Sequence, residues 1–226
     1  MIGSGCVIAI GGNENKRGAR SSILGSFVRR AGDGDARIVI IPSASEEPRA
    51  GAARYTRIFR RLGARKVTTI HAERGNVSPA EREALRTATG IFVTGGNQQV
   101  LMEHLRATDL VDVIRETVRG GAVYAGTSAG ASAASETMIA GSDGDLVHLG
   151  EGLGLIPDVI IDQHFGERSR LPRLRIAAKW QQMTGIGIDE DTAIVWNGTS
   201  GEVTVEGVGK VTFVDPHHKI HVRRAQ

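Results

Sequence analysis

Cysteine is nearly missing from this 226-residue chain: Cys6 stands alone. A single thiol excludes an intramolecular disulfide and suits a reducing compartment, so a cytoplasmic protein is expected. Aromatic side chains are also scarce, with five Phe, two Tyr and two Trp making up 4% of residues. That is too few for a stacking platform on single-stranded nucleic acid. The net charge is +3, from 28 basic and 25 acidic side chains, with no dense Lys/Arg block. An acidic partner is compatible with that balance, but nucleic acid is not indicated. No apolar run approaches the roughly 20 residues that span a bilayer. Met1 to Gly12 has neither a basic n-region nor a long apolar h-region and reads as a first strand rather than an export signal. No Gly-x-Gly-x-x-Gly follows that strand, which argues against a dinucleotide enzyme.

What is present alternates. Short apolar runs are expected as strands at Val7–Ile10, Arg37–Ile41, Lys66–Ile70, Ile91–Thr94 and Ala122–Ala125. Helix-length polar segments separate them: about Lys16–Ala31, Arg49–Leu62, a helix opened by Ser78-Pro79-Ala80-Glu81, and a long one to Arg119 broken near Thr108-Asp109. Apolar strands separated by helices imply a parallel sheet covered on both faces. After Gly185 the pattern turns to short β segments with turns at Asn197-Gly198 and Glu206-Gly207, read as an antiparallel extension at one edge. No linker, repeat or low-complexity tract interrupts the chain, so residues 1–226 are expected to form one domain.

The stretch that organises the rest is Ala122-Val123-Tyr124-Ala125-Gly126-Thr127-Ser128-Ala129-Gly130. An apolar strand runs into Gly-x-Ser-x-Gly and then into small, helix-compatible residues. That is the context of a nucleophile elbow, which lifts a serine hydroxyl above the carboxyl end of a sheet. Gly126 and Gly130 remove side chains where strand and helix backbones approach. Ala129 follows at a helix N-terminus, where a free N–H faces a developing oxyanion. Ligands of open α/β sheets bind at these strand ends, where Gly95-Gly96-Asn97-Gln98 and a second polar cluster also converge.

That cluster is Asp162-Gln163-His164-Phe165, at the end of the run Val159-Ile160-Ile161. Among seven histidines only His164 combines a strand end with dense polar neighbours. His217, His218 and His221 lie in a polar tail, His71 lacks an acidic cluster, and His104 and His148 read as helix or loop. His164 is therefore the expected base for Ser128. Arg168, Arg170 and Arg173 follow; at about 100° per residue 170 and 173 share a helical face while 168 stands apart. Together they suit an anionic group. Asp189, Glu190 and Asp191 supply the acid that orients His164, and spacing alone does not choose between them. No matching ligand set completes a metal site.

Four stretches in order resemble the cyanophycinases of serine peptidase family S51, which also contains aspartyl dipeptidase (peptidase E). They are Val93–Gln98, Ala125–Ala131, Gly152–Phe165 with Arg168, Arg170 and Arg173, and Gly185–Glu190. The resemblance implies a three-layer α/β sandwich like class I glutamine amidotransferases (flavodoxin-like), with a small antiparallel β extension at the C-terminus. It implies a catalytic triad of Ser128, His164 and Glu190, no cofactor or metal, and a homodimer. The oxyanion donors would be Ala129 with Gly96 or Asn97. Gln98, Asp162, Gln163, Arg168, Arg170, Arg173 and Asp191 would line the substrate pocket. The implied reaction is hydrolysis of cyanophycin, multi-L-arginyl-poly-L-aspartate, to β-Asp-Arg dipeptides through an acyl-enzyme.

The chain departs from the family pattern in being short between Ser128 and Asp162 and towards the C-terminus, with Asn97 where aspartate is expected and Asp191 where some relatives carry serine. These departures bear on polymer against dipeptide as substrate. The alternatives are an aspartyl or isoaspartyl dipeptidase acting on β-aspartyl peptides, and a non-catalytic amidotransferase-like binding protein. A glutamine amidotransferase itself would need cysteine at position 128.

Overall fold

The structure is a computed structural model that describes residues 5–17, 19, 22–143 and 146–225. In chain order its elements are β1 (Cys6–Ile10), α1 (Ile23–Arg30), β2 (Arg37–Ile41), α2 (Pro48–Arg61), β3 (Lys66–Thr69), α3 (Pro79–Arg86) and β4 (Gly90–Val93). Then come α4 (Gln98–Ala107), α5 (Leu110–Arg119), β5 (Val123–Thr127), α6 (Ala129–Ser132), β6 (Thr137–Asp143), β7 (Leu146–Glu151) and β8 (Val159–Gln163). The last are α7 (Leu171–Gln181), β9 (Thr184–Ile188), β10 (Thr192–Asn197), β11 (Val203–Gly207), β12 (Lys210–Val214) and β13 (Ile220–Arg224).

The main sheet has seven strands in the order β11-β10-β1-β5-β4-β2-β3, with β1 to β5 mutually parallel and β10 and β11 antiparallel at one edge. Its strands are apolar on both sides because both faces are covered. Along β1 the side chains divide in strict alternation. Ile8 and Ile10 join Phe27 of α1 and Phe59 of α2 in one cluster, while Val7 and Ala9 join Leu85, Leu101 and Ile114 from α3, α4 and α5 in another. The three-layer α/β arrangement expected from the sequence is the one found.

Four of the few aromatic rings sit together. Phe92 of β4 lies 4.5 Å from Tyr55, 5.0 Å from Phe59 and 5.8 Å from Phe27, centroid to centroid. Tilted and edge-on rings at this spacing gain beyond their area burial. A Cβ on Gly90 would lie 2.9 Å from the Phe27 ring, so the strand needs glycine there to admit α1.

Several boundaries differ from expectation for local reasons. The helix expected from Lys16 starts at Ile23, where the Ser22 hydroxyl accepts from the Gly25 amide at 3.2 Å; part of the expected span (18, 20 and 21) lies outside the described residues. The helix at Ser78 carries a full capping box with Glu81, and the break at Thr108-Asp109 separates α4 from α5, both as read.

The antiparallel extension is divided between two sheets. β10 and β11 extend the main sheet, whereas β12 and β13 belong to a second, four-stranded sheet in the order β13-β12-β9-β8. The strand that leads into His164, β8, is thus in the second sheet. Hairpin β6–β7 was not anticipated, and it makes His148 a strand residue rather than a helix or loop one. The second sheet joins the first through Ile161, Ile186, Ile188 and Val211, which are buried in the same cluster as Val7 and Val93.

Phe92→Ala is expected to lower stability by about 3–5 kcal/mol, because it empties the centre of the aromatic cluster. The midpoint of urea unfolding measures it, and a loss under 1 kcal/mol would mean the cluster collapses to fill the space.

Candidate active site

Three chain segments meet at the carboxyl ends of β1, β4 and β5. The elbow is built as its glycines require. A Cβ on Gly126 would stand 2.2 Å from the Gly130 carbonyl oxygen, and one on Gly130 would stand 2.6 Å from that of Val93. With those Cβ atoms absent, β5 turns directly into α6, and Ser128 takes φ 53°, ψ −110°. A non-glycine residue holds such a conformation only where its surroundings over-determine it. Here the Ser128 amide donates to the Ile10 carbonyl at 2.9 Å, and the buried Tyr124 hydroxyl donates to Gly130 O at 2.7 Å. Burial pushes the Tyr124 phenol above its ordinary range, so it remains a donor.

His164 arrives from the second sheet. Its backbone amide donates to Gly11 O at 2.7 Å, and its φ of 47° turns the ring towards the elbow. Nε2 lies 3.0 Å from Ser128 Oγ, and Nδ1 lies 2.6 Å from Glu190 Oε1. The Glu190 carboxyl is held below the usual carboxylate range, first by the hydrogen bond from His164 and then by one from Asn13. An ionised Glu190 accepts from Nδ1–H, which leaves the Nε2 lone pair facing the serine hydroxyl. Backbone approach is tight here too: a Cβ on Gly12, whose φ is 104°, would lie 2.3 Å from the His164 ring.

The remaining acids separate cleanly. Asp189 is buried, and its oxygens accept from the amides of Gly166 at 3.0 Å and Lys210 at 3.3 Å, tying the turn after β8 to β12. Only Glu190 reaches the imidazole. The amides of Ala129 and Gly96 enter no backbone hydrogen bond among the described residues; Ala129 follows Ser128 in the chain, and Gly95, next to Gly96, lies against it, a Cβ there standing 3.1 Å from Ser128 Cβ. No cluster of three metal-ligating side chains occurs among those residues, and no helix there is long and apolar enough to cross a membrane.

The profile of Peptidase family S51 matches residues 7–204. The cyanophycinase of Trichormus variabilis is 45% identical over 225 residues, covering 95% of this chain and 75% of that protein. The cyanophycinase of Synechococcus elongatus is 43% identical over 224 residues, covering 94% and 68%.

This chain belongs to peptidase family S51.

A peptidase E of Shewanella amazonensis in the same comparison is 35% identical over 128 residues, covering 52% of this chain and 54% of that one. In structure, a peptidase from an acI-B1 actinobacterium superposes with TM-score 0.79 at 24% identity, covering 98% of this chain and 94% of that one, a likeness of fold alone.

Against this S51 framework, several expected pocket residues do other work. Asp162 does not line a pocket. It has no exposed surface and takes a two-pronged contact from Arg173, through Nε at 2.7 Å and Nη2 at 2.5 Å, plus Arg170 Nη1 at 3.1 Å. It is the counter-ion that holds two arginines in place, because a buried carboxylate must be paired. Burial lowers the Arg170 guanidinium from its ordinary value, and Asp162 opposes that.

Asp191 also has a local partner. Its Oδ1 accepts from the Asn15 amide at 2.8 Å, and it borders a hollow shared with Asn15 and Val208, turned there by a φ of 44°. Asn97 corrects the oxyanion expectation. Its amide donates to Ala44 O at 2.8 Å and its side chain caps α4, so of the alternatives Gly96 or Asn97 only Gly96 has an N–H without a partner among the described residues.

Gln98 donates through Nε2 to Ile139 O at 2.7 Å and so ties β6 to the start of α4, beside Gly95 and Gly96. Gln163 accepts a long contact from Ser128 Oγ at 3.4 Å. Arg168 is exposed; its backbone amide donates to His164 O at 3.0 Å, and its guanidinium enters no hydrogen bond or ion pair among the described residues.

The residues that sequence reasoning missed lie in the loop after β1. Asn13 Nδ2 donates to Glu190 Oε2 at 2.9 Å. Glu14 is buried, accepting from Thr127 Oγ1 at 2.6 Å and from the Tyr55 hydroxyl. The available sign was a polar pair directly after Gly11-Gly12 at a strand end.

Asp162→Ala leaves two largely buried arginines without their partner and is expected to cost about 3–5 kcal/mol. Thermal unfolding checks it, and an unchanged Tm would show that water or a neighbour replaces the carboxylate.

Proposed function

We propose that this chain is a serine peptidase that hydrolyses cyanophycin to β-Asp-Arg dipeptides, with Ser128 as nucleophile, His164 as general base and Glu190 as the acid that orients it. The observation that carries the reading is the continuous relay from Ser128 Oγ to His164 Nε2 at 3.0 Å and from Nδ1 to Glu190 at 2.6 Å. The 43–45% identity to cyanophycinases over most of the chain supports the substrate.

Ser128 Oγ attacks the scissile carbonyl carbon while its proton moves to His164 Nε2. The carbonyl oxygen becomes an oxyanion between the amides of Ala129 and Gly96, where each donor is worth roughly 3–4 kcal/mol. The C–N bond breaks and the leaving amine takes the proton from Nε2, leaving an acyl ester on Ser128. Water gives a proton to Nε2 as it attacks the ester, and the serine hydroxyl is restored. Glu190 remains ionised throughout and stabilises the imidazolium. No cofactor is needed.

The exposed Arg168 guanidinium, without an ion pair among the described residues, supports capture of a substrate carboxylate. Arg170 and Arg173, held by Asp162, and Gln163 would complete the anionic subsite. The same reading takes residues 1–226 as one catalytic domain, in the cytoplasm because of the lone cysteine, and as a homodimer by resemblance to the family.

Purified cyanophycin incubated with the protein should release soluble β-Asp-Arg, read by mass. Ser128→Ala should abolish release without lowering Tm. Glu190→Gln should reduce kcat by about 10²–10⁴-fold by favouring the wrong imidazole tautomer. Cleavage of aspartyl dipeptides with the polymer left intact would move the protein to the dipeptidase reading, and full activity in Ser128→Ala would remove the nucleophile.

A further inference from the structure

We propose that Asn13 is a positioning residue of the triad: it holds the outer oxygen of Glu190 so that the inner one stays on His164. This rests on the serine-peptidase reading above. Glu190 lies on a loop between β9 and β10, and its side chain is 29% exposed. A partly solvated glutamate with several free torsions gains little orientation from a single contact, because water competes for both oxygens. The structure supplies a second contact, Asn13 Nδ2 to Oε2 at 2.9 Å, opposite the 2.6 Å contact of Oε1 with His164 Nδ1. Two points on one carboxylate fix its plane as well as its position.

The loop that carries Asn13 is itself tied to each part of the site. Gly11 O accepts from the His164 amide at 2.7 Å, and Gly12 O accepts from the Asp191 amide at 2.8 Å. Past Asn13, the buried Glu14 carboxylate accepts from Thr127, the residue before the nucleophile. Asn13 thus stands on a support that already holds the neighbours of all three triad members. Its φ is 48°, a left-handed conformation that asparagine, aspartate and glycine adopt most readily. Its side chain is exposed, so its replacement removes no core packing.

Asn13→Gly and Asn13→Asp therefore test the contact without straining the backbone. The groups around Glu190 are His164, Arg168 and Glu167 from the turn after β8, its neighbours Asp189 and Asp191, and Glu14 on the Asn13 loop. None of these changes in either variant. The Asn13 amide stabilises ionised Glu190, so its loss favours the protonated form. An aspartate there adds a like charge beside Oε2, raising the Glu190 carboxyl and stabilising the His164 imidazolium. Both effects move the acid limb of kcat/KM to higher pH.

The expected result for Asn13→Gly is a kcat about 10- to 100-fold lower, the loss of one hydrogen bond to a charged group. KM should move by less than about twofold, as for an interaction that acts on chemistry rather than binding. Labelling of Ser128 by an alkyl fluorophosphonate, which needs no polymer, should slow by a similar factor. Asn13→Asp should show the acid limb displaced upward, which a merely structural role would not produce. Wild-type labelling rates, kcat and pH profile in both variants would overturn the proposal, as would a loss confined to KM. A wild-type protein that labels but leaves the polymer intact overturns the substrate alone, and the labelling ratio still decides Asn13. A wild-type protein that does not label overturns both readings.

Discussion

The carbonyl oxygen of Gly130 occupies the place where a side chain on residue 126 would begin, and the rest of the site depends on that contact. Strand β5 and helix α6 share it, with Val93 of β4 pressed against the other side of the same turn. The strained φ and ψ of Ser128 follow from this crowding. So does the direction of its hydroxyl, which faces away from the sheet and towards whatever stands above the strand ends. A fold that relaxed this turn by a single methyl group would lose the position of the Ser128 hydroxyl.

The second sheet is what stands above. Its strand β8 points its carboxyl end at the main sheet because Ile161, Ile186 and Ile188 are buried against the same cluster that lines one face of β1 and β4. Hydrophobic packing thus sets the separation of the two sheets, and hydrogen bonds then set the register. The Gly11 carbonyl receives the His164 amide, and the Gly12 carbonyl receives that of Asp191. The two-glycine end of β1 is therefore the joint between the sheets. It tolerates no side chain where the imidazole lies across it.

Charge is organised in two tiers. Below the surface, Asp162 pairs with Arg170 and Arg173, and Glu14 collects two hydroxyl donors; both carboxylates are almost wholly inaccessible. At the surface, Glu190 and Arg168 remain in contact with solvent. Buried ions must be paired, so the inner tier holds its arginines in place while the outer one stays open to solvent.

The amino-acid sequence alone was enough for the order of β1 to β5 and their helices, the elbow at Ser128 and the break between α4 and α5. Each is local: apolar runs of strand length, glycines where backbones must approach, and a capping box at Ser78. The meeting of His164 with Ser128 was also legible, because a strand end rich in polar residues is a local pattern. Tertiary structure alone decided the rest. Asp189, Glu190 and Asp191 are equivalent by spacing, and only the path of the loop between β9 and β10 brings Glu190 to the imidazole and turns its neighbours to Gly166 and Asn15. Asp162 looked like a pocket residue until its burial made it a counter-ion. β8 looked like one more strand of a single sheet until its partners proved to be in another. The polar pair Asn13-Glu14 after Gly11-Gly12 marked a strand end, but the partner of Asn13 was not legible, because its contact spans 177 residues of sequence. Periodicity reports which face of an element is apolar; it does not report which distant segment that face will meet.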